Sequence, residues 1–442
     1  MLYSHIKADL SQSPFFQSLP AHLNSGKRVQ IHHLNQSARA LVAAHLWAQS
    51  GKNVIIVSQD DIIAEDIWDD LCALIGRDNA HYLPDYEILP YEERSPHYSI
   101  RATRMLCLYN AMSEIPAIYS LSVRALLRYI PPKASIARHI IHIRQGMEYP
   151  PDKLILDLHN SGYQMEYQVS KVYQAARRGG IIDVFSPPLL KPVRIEFFGD
   201  EIVSMRSFSA NSQRSEPGEL NEVTLIPARE LCLDDIDHHS PLASRIKTKG
   251  FYDGIENQLS LLLPELETFA DYFDPDNRIM LMSNFNYVME EVQQLGEQIL
   301  SQYQKELKHK TKAKLSSPER LMAGEEYIYK LLRPDTSAFL SQSEFVLPFA
   351  TDNLKAPFEP QPAFGGDLDL LASHLKNNAH QRRILLFDNP SQSKRMDQLL
   401  DDFDVKAEHH IGVLHEGFSI TDAGLTLWTD HEIFNRYKRK RY

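Results

Sequence analysis

Between residues 28 and 129 short apolar runs alternate with segments of helical spacing, and this alternation restricts the fold more than anything else in the chain. RVQIHHL (28–34) reads as a strand, followed by a helix over Ala38–Gln49 with Asn35 or Ser37 as its cap. Gly51 closes that helix, and NVIIVS (53–58) reads as a strand buried on both faces. Asp60 or Asp61 caps a second helix, Ile62–Leu74. The Pro- and Tyr-rich stretch 81–96 reads as a connection, Ile100–Met112 has helical spacing, 116–123 is a third strand, and Arg124–Tyr129 is a short helix. Strands separated by helices of this length imply a parallel sheet covered on both faces.

In such a sheet the first strand-to-helix turn is the natural place for a phosphate loop. That loop needs glycines to wrap the phosphates, with a lysine and a hydroxyl in G-x-x-x-x-G-K-[ST] order. Here the turn is HHLNQSARA, with neither glycine nor lysine. No ATP binding is expected at it. An α/β unit that never held a ligand fits this stretch equally well.

Pro131-Pro132 marks a boundary, after which the pattern becomes α+β: a strand at 139–146, a helix over Pro151–Ser161 ending at Gly162, then three or four strands. The densest signals lie in residues 177–214. Gly179-Gly180 starts a β-rich run, Ile181–Phe185, which Pro187-Pro188 stops. Val193–Phe198 and Glu201–Phe208 flank Gly199-Asp200, the sequence form of a β-hairpin. Alternation sends Val193, Ile195 and Phe197 to one face and Arg194, Glu196 and Phe198 to the other. An exposed aromatic beside an arginine is what protein-contact hot spots are made of. The competing reading is a half-buried sheet whose outer face happens to carry one phenylalanine.

From 229 to about 335 the chain turns helical, with one clear strand at 278–282 and a long helix over Val288–Leu307. These pieces could complete the first sheet. A Pro/Gly-rich linker follows, and then a last α/β unit: a helix Leu368–Asn377, a strand 382–388, a helix Ser391–Phe403, and strands at 405–413 and 424–430.

A chain of 442 residues is suited to about three units. It has no apolar run long enough to span a bilayer, and its first residues lack the pattern of a secretory signal. Three cysteines without C-x-x-C spacing fit reduced thiols of a cytoplasmic protein. The net charge of −11 disfavours coating of nucleic acid over the whole surface. The last residues are the exception: Arg436, Lys438, Arg439, Lys440 and Arg441 form a basic run, read either as a DNA-phosphate contact or as a solvated end. Nineteen histidines include three adjacent pairs, but none has chelating spacing. The pairs Asp60-Asp61, Asp69-Asp70 and Asp401-Asp402 read as solvated faces or caps, and Asp234-Asp235 as needing no more than solvent. No catalytic centre, metal site or cofactor is expected.

The stretches RRGGIIDVFSP, PVRIEFFGDEI and SQRS resemble the small domain shared by the excision-repair protein UvrB and the transcription-repair-coupling factor (Mfd) family. YLPDYEILPYEERSP, SVRALL, GIENQLSLLLPELETFADYF, PQPAFGGDLDLLASHL and TDHEIFNRYKRKR extend the likeness to that family over nearly the whole chain. The resemblance implies a multi-domain α/β architecture. A degenerate RecA/P-loop-like domain would be built from two segments, 1–135 and 229–340, with a small α+β UvrA-binding domain, 136–228, inserted between them. A linker, 341–366, a separate small α/β domain, 367–435, and the basic start of a further linker, 436–442, would follow. It implies recruitment of UvrA to stalled RNA polymerase without ATPase activity in this chain. The polymerase-binding module, the double-stranded-DNA translocase and their motor motifs are absent from the sequence. Carried over by motif, Arg178, Arg194 and Phe198 would contact UvrA, with Arg177 and Glu196 as neighbours. The family pattern before the R-G pair is roughly F-A-V-R-G. Here it is Gln174-Ala175-Ala176-Arg177-Arg178, so two arginines compete for one role. The alternatives are a UvrB-like nucleotide-dependent damage-loading factor and a DNA-binding module acting through the basic run.

Overall fold

The computed structural model describes residues 1–308, 315–378 and 380–435. Two helices that the sequence reading did not foresee, Leu2–Leu10 and Pro14–Leu23, come first. Then β1 (Val29–His32), β2 (Asn53–Ser58), β3 (Ala80–Leu83) and β4 (Ile118–Ser122) alternate with the helices Gln36–Ser50, Asp61–Ile75 and Tyr98–Asn110. The caps decide the helix starts. The Asn35 side chain accepts from the Ala38 amide and the Asp60 carboxylate from the Ile63 amide, each satisfying a donor the helix leaves free. Gly51, at φ 64°, ends the first of these helices in the left-handed region that favours glycine.

The next strands are β5 (Ile141–Arg144), β6 (Gln164–Met165), β7 (Gln174–Arg178), β8 (Ile181–Val184), β9 (Val193–Phe198), β10 (Glu201–Ser207) and β11 (Glu222–Leu225). The chain then adds β12 (Arg278–Ser283), the long helix Phe285–Glu306, β13 (Ser337–Leu340) and β14 (Asp352–Lys355). It finishes with β15 (Phe358–Pro360), β16 (Arg382–Phe387), β17 (Glu408–Ile411), β18 (Phe418–Ile420) and β19 (Leu425–Trp428), and with the helices Leu368–Asn377 and Pro390–Asp401.

Seven strands form one sheet in the order β14-β1-β13-β12-β2-β4-β3, and every neighbouring pair is parallel. The α/β, multi-unit expectation with a parallel sheet therefore holds. The sheet draws β1–β4 from residues 29–122 and β12–β14 from residues 278–355. The strands β5–β11 between them form a separate five-stranded sheet, β10-β9-β8-β7-β6, and a β11-β5 pair. The last sheet is β15-β18-β19-β16-β17.

Several strands depart from the sequence reading, β13 and β18 among them, which it did not mark. Residues 80–83, inside the expected connection, form β3 on the sheet edge beside β4. Inside the Pro/Gly-rich stretch, β14 pairs with β1 and β15 with β18, so this connection adds a strand to each of two sheets. Both are edge strands of only four and three residues, β14 mostly polar and β15 ending on a proline, and too short to carry an alternation signal.

One apolar cluster runs from one face of the large sheet (Ile55, Val57, Tyr119) into the small sheet (Ile182, Val193, Ile195). The cluster on the opposite face (Val54, Ile56, Leu41) continues into the last sheet (Ile384, Leu386, Phe418, Leu427). A buried polar network ties helix Tyr98–Asn110 to the chain returning from the small sheet. Arg104 Nε lies 2.5 Å from Glu230 Oε1, the Tyr86 hydroxyl donates to Glu230 Oε2 at 2.9 Å, and the Arg104 guanidinium sits 4.3 Å from the Tyr86 ring centre. Among the described residues no helix is long and apolar enough to cross a membrane.

Candidate functional site

Two adjacent hairpins build the outward face of the small sheet. In the first, β7 and β8 turn over Gly179-Gly180, with Arg178 opposite Ile181. In the second, β9 and β10 turn over Gly199-Asp200, with Phe198 opposite Glu201. Gly179 and Gly199 have φ of 61° and 63°, which favours glycine. Gly180 is constrained for a different reason. Its carbonyl accepts the Phe197 amide at 2.8 Å, joining the two turns, and a Cβ on Gly180 would sit 3.0 Å from the Phe197 carbonyl oxygen. Phe198 is thereby held next to the Gly179-Gly180 turn.

The strand register sorts the side chains. Ala175, Ile182, Val184, Val193 and Ile195 are buried in the core that also holds Leu154 and Leu158 of helix Pro151–Asn160. Across the outward face run two rows: Arg206, Arg194, Asp183 and Ala176, then Ser204, Glu196, Ile181 and Arg178. Arg178, Arg194, Glu196 and Phe198 therefore share one face. Arg177 does not. It points to the helix side, where it pairs with Asp152 in the first turn of helix Pro151–Asn160. Strand alternation separates the two arginines that the sequence left in competition.

The members of this face differ in freedom. Arg194 is fixed. Its Nε and a terminal nitrogen donate to the two carboxylate oxygens of Asp183 at 2.8 and 2.9 Å, and its guanidinium lies 4.9 Å from the Phe208 ring centre. The Asp183 hydrogen bond raises the Arg194 pKa above its ordinary value. The Arg194 side chain is 18% exposed and that of Asp183 only 3%. Phe198, in contrast, is 80% exposed, with almost its whole ring in water. Glu196 is half-buried. Arg178 is exposed, donates to the Tyr167 carbonyl at 2.9 Å and lies 5.2 Å from the Tyr167 ring centre. Tyr167, itself 86% exposed, has no sequence signal that distinguishes it. Neither does Asp183, whose role appears only once β8 and β9 are paired. The basic side chains Arg436, Lys438, Arg439, Lys440 and Arg441 lie outside the described residues.

Two carboxylates expected to be solvated are not. Asp70 is fully buried and bonds to the Ser37 hydroxyl at 2.7 Å and to the His415 ring at 2.8 Å, because its helix packs against helix Gln36–Ser50 and the loop before β18. Asp235 accepts from the Ser135 hydroxyl at 2.6 Å and bonds to His139 Nε2 at 2.8 Å. With Cys232, His139 and Asp235 offer three ligand atoms within 4.8 Å of one another. Their chemistry fits a hydrogen-bonded junction better than a metal site. Arg138 already sets a positive charge 3.3 Å from Asp235, and burial raises the Cys232 thiol pKa so that it holds its proton.

In the turn after β1 the start of the helix is taken by the chain itself. His33 there adopts φ 68°, and the first amide of the following helix, that of Gln36, donates to the Glu416 carboxylate at 2.9 Å.

Comparison with known proteins agrees with this geography. A family model described as the UvrB interaction domain matches residues 141–231, which contain all of β5–β11 and the whole outward face. The transcription-repair-coupling factor of Myxococcus xanthus is 36% identical over 230 residues, covering 50% of this chain and 19% of its own length. That of Haemophilus influenzae is 27% identical over 62% of this chain and 25% of its own length. That of Bacillus subtilis is 24% identical over 99% of this chain and 41% of its own length. The chain thus spans less than half the length of these relatives. With a UvrB interaction domain at 141–231 and likeness over 99% of its residues, it resembles the N-terminal, UvrB-like region of the transcription-repair-coupling factors.

Proposed function

We propose that this chain is a docking module that recruits the excision-repair protein UvrA to RNA polymerase stalled on DNA, and that it does so through the outward face of β7–β9. The observation that carries the reading is the pairing of an immobilised arginine with an almost fully exposed phenylalanine inside the matched domain. An aromatic ring kept in water by two joined turns is a pre-organised anchor. Burying it against a partner contributes about 2–3 kcal/mol, and because the strand fixes its backbone only the ring's two side-chain torsions have to be ordered. Arg194 is held in place by Asp183, and its other terminal nitrogen rests 3.4 Å from both the Gln213 carbonyl and the Ser215 hydroxyl, long contacts that a partner's acceptor can replace without the side chain having to be ordered on binding. Arg178, on the same face and steadied by Tyr167, is the third contact.

The reading is one of docking rather than nucleotide chemistry. Its support is the turn after β1, which lacks glycine and lysine and whose helix amide is taken by Glu416. The seven-stranded sheet would be the two-segment domain that carries the inserted docking domain, and polymerase and DNA contacts would belong to other parts of the whole protein. The test is calorimetric titration of UvrA into the chain and into Phe198→Ala. Loss of affinity in the variant supports the reading, and equal affinity defeats it.

A further inference from the structure

The crevice at the C-terminal edge of a parallel sheet, at the start of the helix after the first strand, is where open α/β folds bind anions. In this protein the chain itself occupies it. Glu416 Oε2 accepts the Gln36 amide at 2.9 Å, the Glu416 amide donates to the Ser37 hydroxyl at 2.9 Å, and the Asn35 side-chain nitrogen donates to the Gly417 carbonyl at 3.1 Å. The neighbouring His415 is bound through its amide and its ring to Asp70, at 2.9 and 2.8 Å. A carboxylate oxygen on the first amide of a fifteen-residue helix stands where a phosphate oxygen would stand.

A second, separate feature points to an anion. Arg39, in the first turn of the same helix, is only 4% exposed. One of its terminal nitrogens donates to the Ser283 hydroxyl at the end of β12, at 2.6 Å, while its buried Nε has no hydrogen-bond partner. Burial pushes its guanidinium down to about 10, and the Glu416 carboxylate offsets part of that. A buried cation with an unused donor, close to the one carboxylate inserted from the last α/β unit, is not explained by core packing alone.

We propose that this crevice is an anion site whose resident ligand is Glu416. The loop 412–417 then latches the last α/β unit onto the seven-stranded sheet and keeps phosphate-bearing ligands out. A carboxylate tethered in this way acts at an effective concentration in the millimolar range or above, so a free phosphate group competes poorly with it. The latch lies on different residues from the docking face and stands or falls independently of it.

The test is calorimetric titration of the full chain with pyrophosphate at constant ionic strength. Glu416→Ala should bind pyrophosphate at least about tenfold more tightly than the wild type, the worth of one charge-assisted hydrogen bond. Adding Arg39→Met should abolish the gain. Glu416→Gln, which stays informative where the alanine variant unfolds, turns the charge-assisted hydrogen bond to the Gln36 amide into a weaker neutral one and should show a smaller gain in the same direction. Equal pyrophosphate affinity in the wild type and Glu416→Gln, or a gain that survives Arg39→Met, would overturn the proposal.

Discussion

Replacing Arg194 with alanine should damage the docking face before any partner arrives. The Asp183 carboxylate is 3% exposed, and the Arg194 guanidinium is its only ion-pair partner among the described residues, through two hydrogen bonds of 2.8 and 2.9 Å. Truncating Arg194 leaves that carboxylate buried and uncompensated, which typically costs about 3–5 kcal/mol. The Arg194 side chain is 18% exposed, so water can partly replace it, and the lower end, about 3 kcal/mol, is expected. Arg194→Glu should be worse, because it sets a second negative charge against Asp183. The direct assay is native-state hydrogen exchange at the amides of β8 and β9. Local opening eased by about 3 kcal/mol speeds exchange by roughly a hundredfold. The control is Phe198→Ala, whose exposed ring makes little of the fold, so its exchange should match the wild type within about 0.5 kcal/mol. Unchanged exchange in Arg194→Ala would refute the claim that the pair holds the sheet. It also follows that weak UvrA binding by an Arg194 variant does not by itself identify Arg194 as a contact.

The Arg104–Glu230 pair gives a second test, across the two segments that flank the small sheet. Either single substitution, Arg104→Met or Glu230→Leu, should cost about 3–5 kcal/mol in urea denaturation, while the double variant should recover most of the loss. Additive losses would show that the two groups act independently. For His415, burial alone would lower the pKa, but hydrogen bonds to Asp66 and Asp70 and their charges outweigh it and raise the value to about 10. The folded value lies above the unfolded one of about 6.5. The ion pair's contribution is therefore fully present below about pH 6.5 and lost as the pH rises toward 10, a decline that His415→Gln should flatten in pH-dependent unfolding. Gly180→Ala should push its new Cβ against the Phe197 carbonyl, separate the two turns, and weaken UvrA binding in titration while the seven-stranded sheet keeps its hydrogen-exchange protection.

What the sequence made legible was local. The helix caps at Asn35 and Asp60 and the buried run of β2 can be read because each depends on neighbours a few residues away. The outward placement of Arg194, Glu196 and Phe198 follows from alternation along one strand. Completion of the first sheet by the strand at 278–282 was legible only as a possibility, and other pairings between distant segments stayed hidden. Asp183 reads as an ordinary strand carboxylate until β8 is set against β9. Residues 174–178, rich in alanine and arginine, have too weak a β signal to show that β7 carries Arg177 and Arg178 to opposite faces. β14, a polar edge strand, reads as linker. The insertion of Glu416 at the start of a helix 380 residues away leaves no trace in local sequence. The partner class was legible only through resemblance, because exposure and charge identify a docking surface without naming what binds it.

The measurement closest to the central claim is the dissociation constant of UvrA with the wild-type chain and with Phe198→Ala, taken alongside hydrogen exchange of β8 and β9 in both proteins. If Phe198 is the anchor of the face, the variant keeps wild-type exchange and binds UvrA about thirtyfold more weakly or worse, as truncation of a hot-spot aromatic does. Binding within about twofold of the wild type, with the sheet equally protected, would contradict the assignment of this face as the UvrA dock.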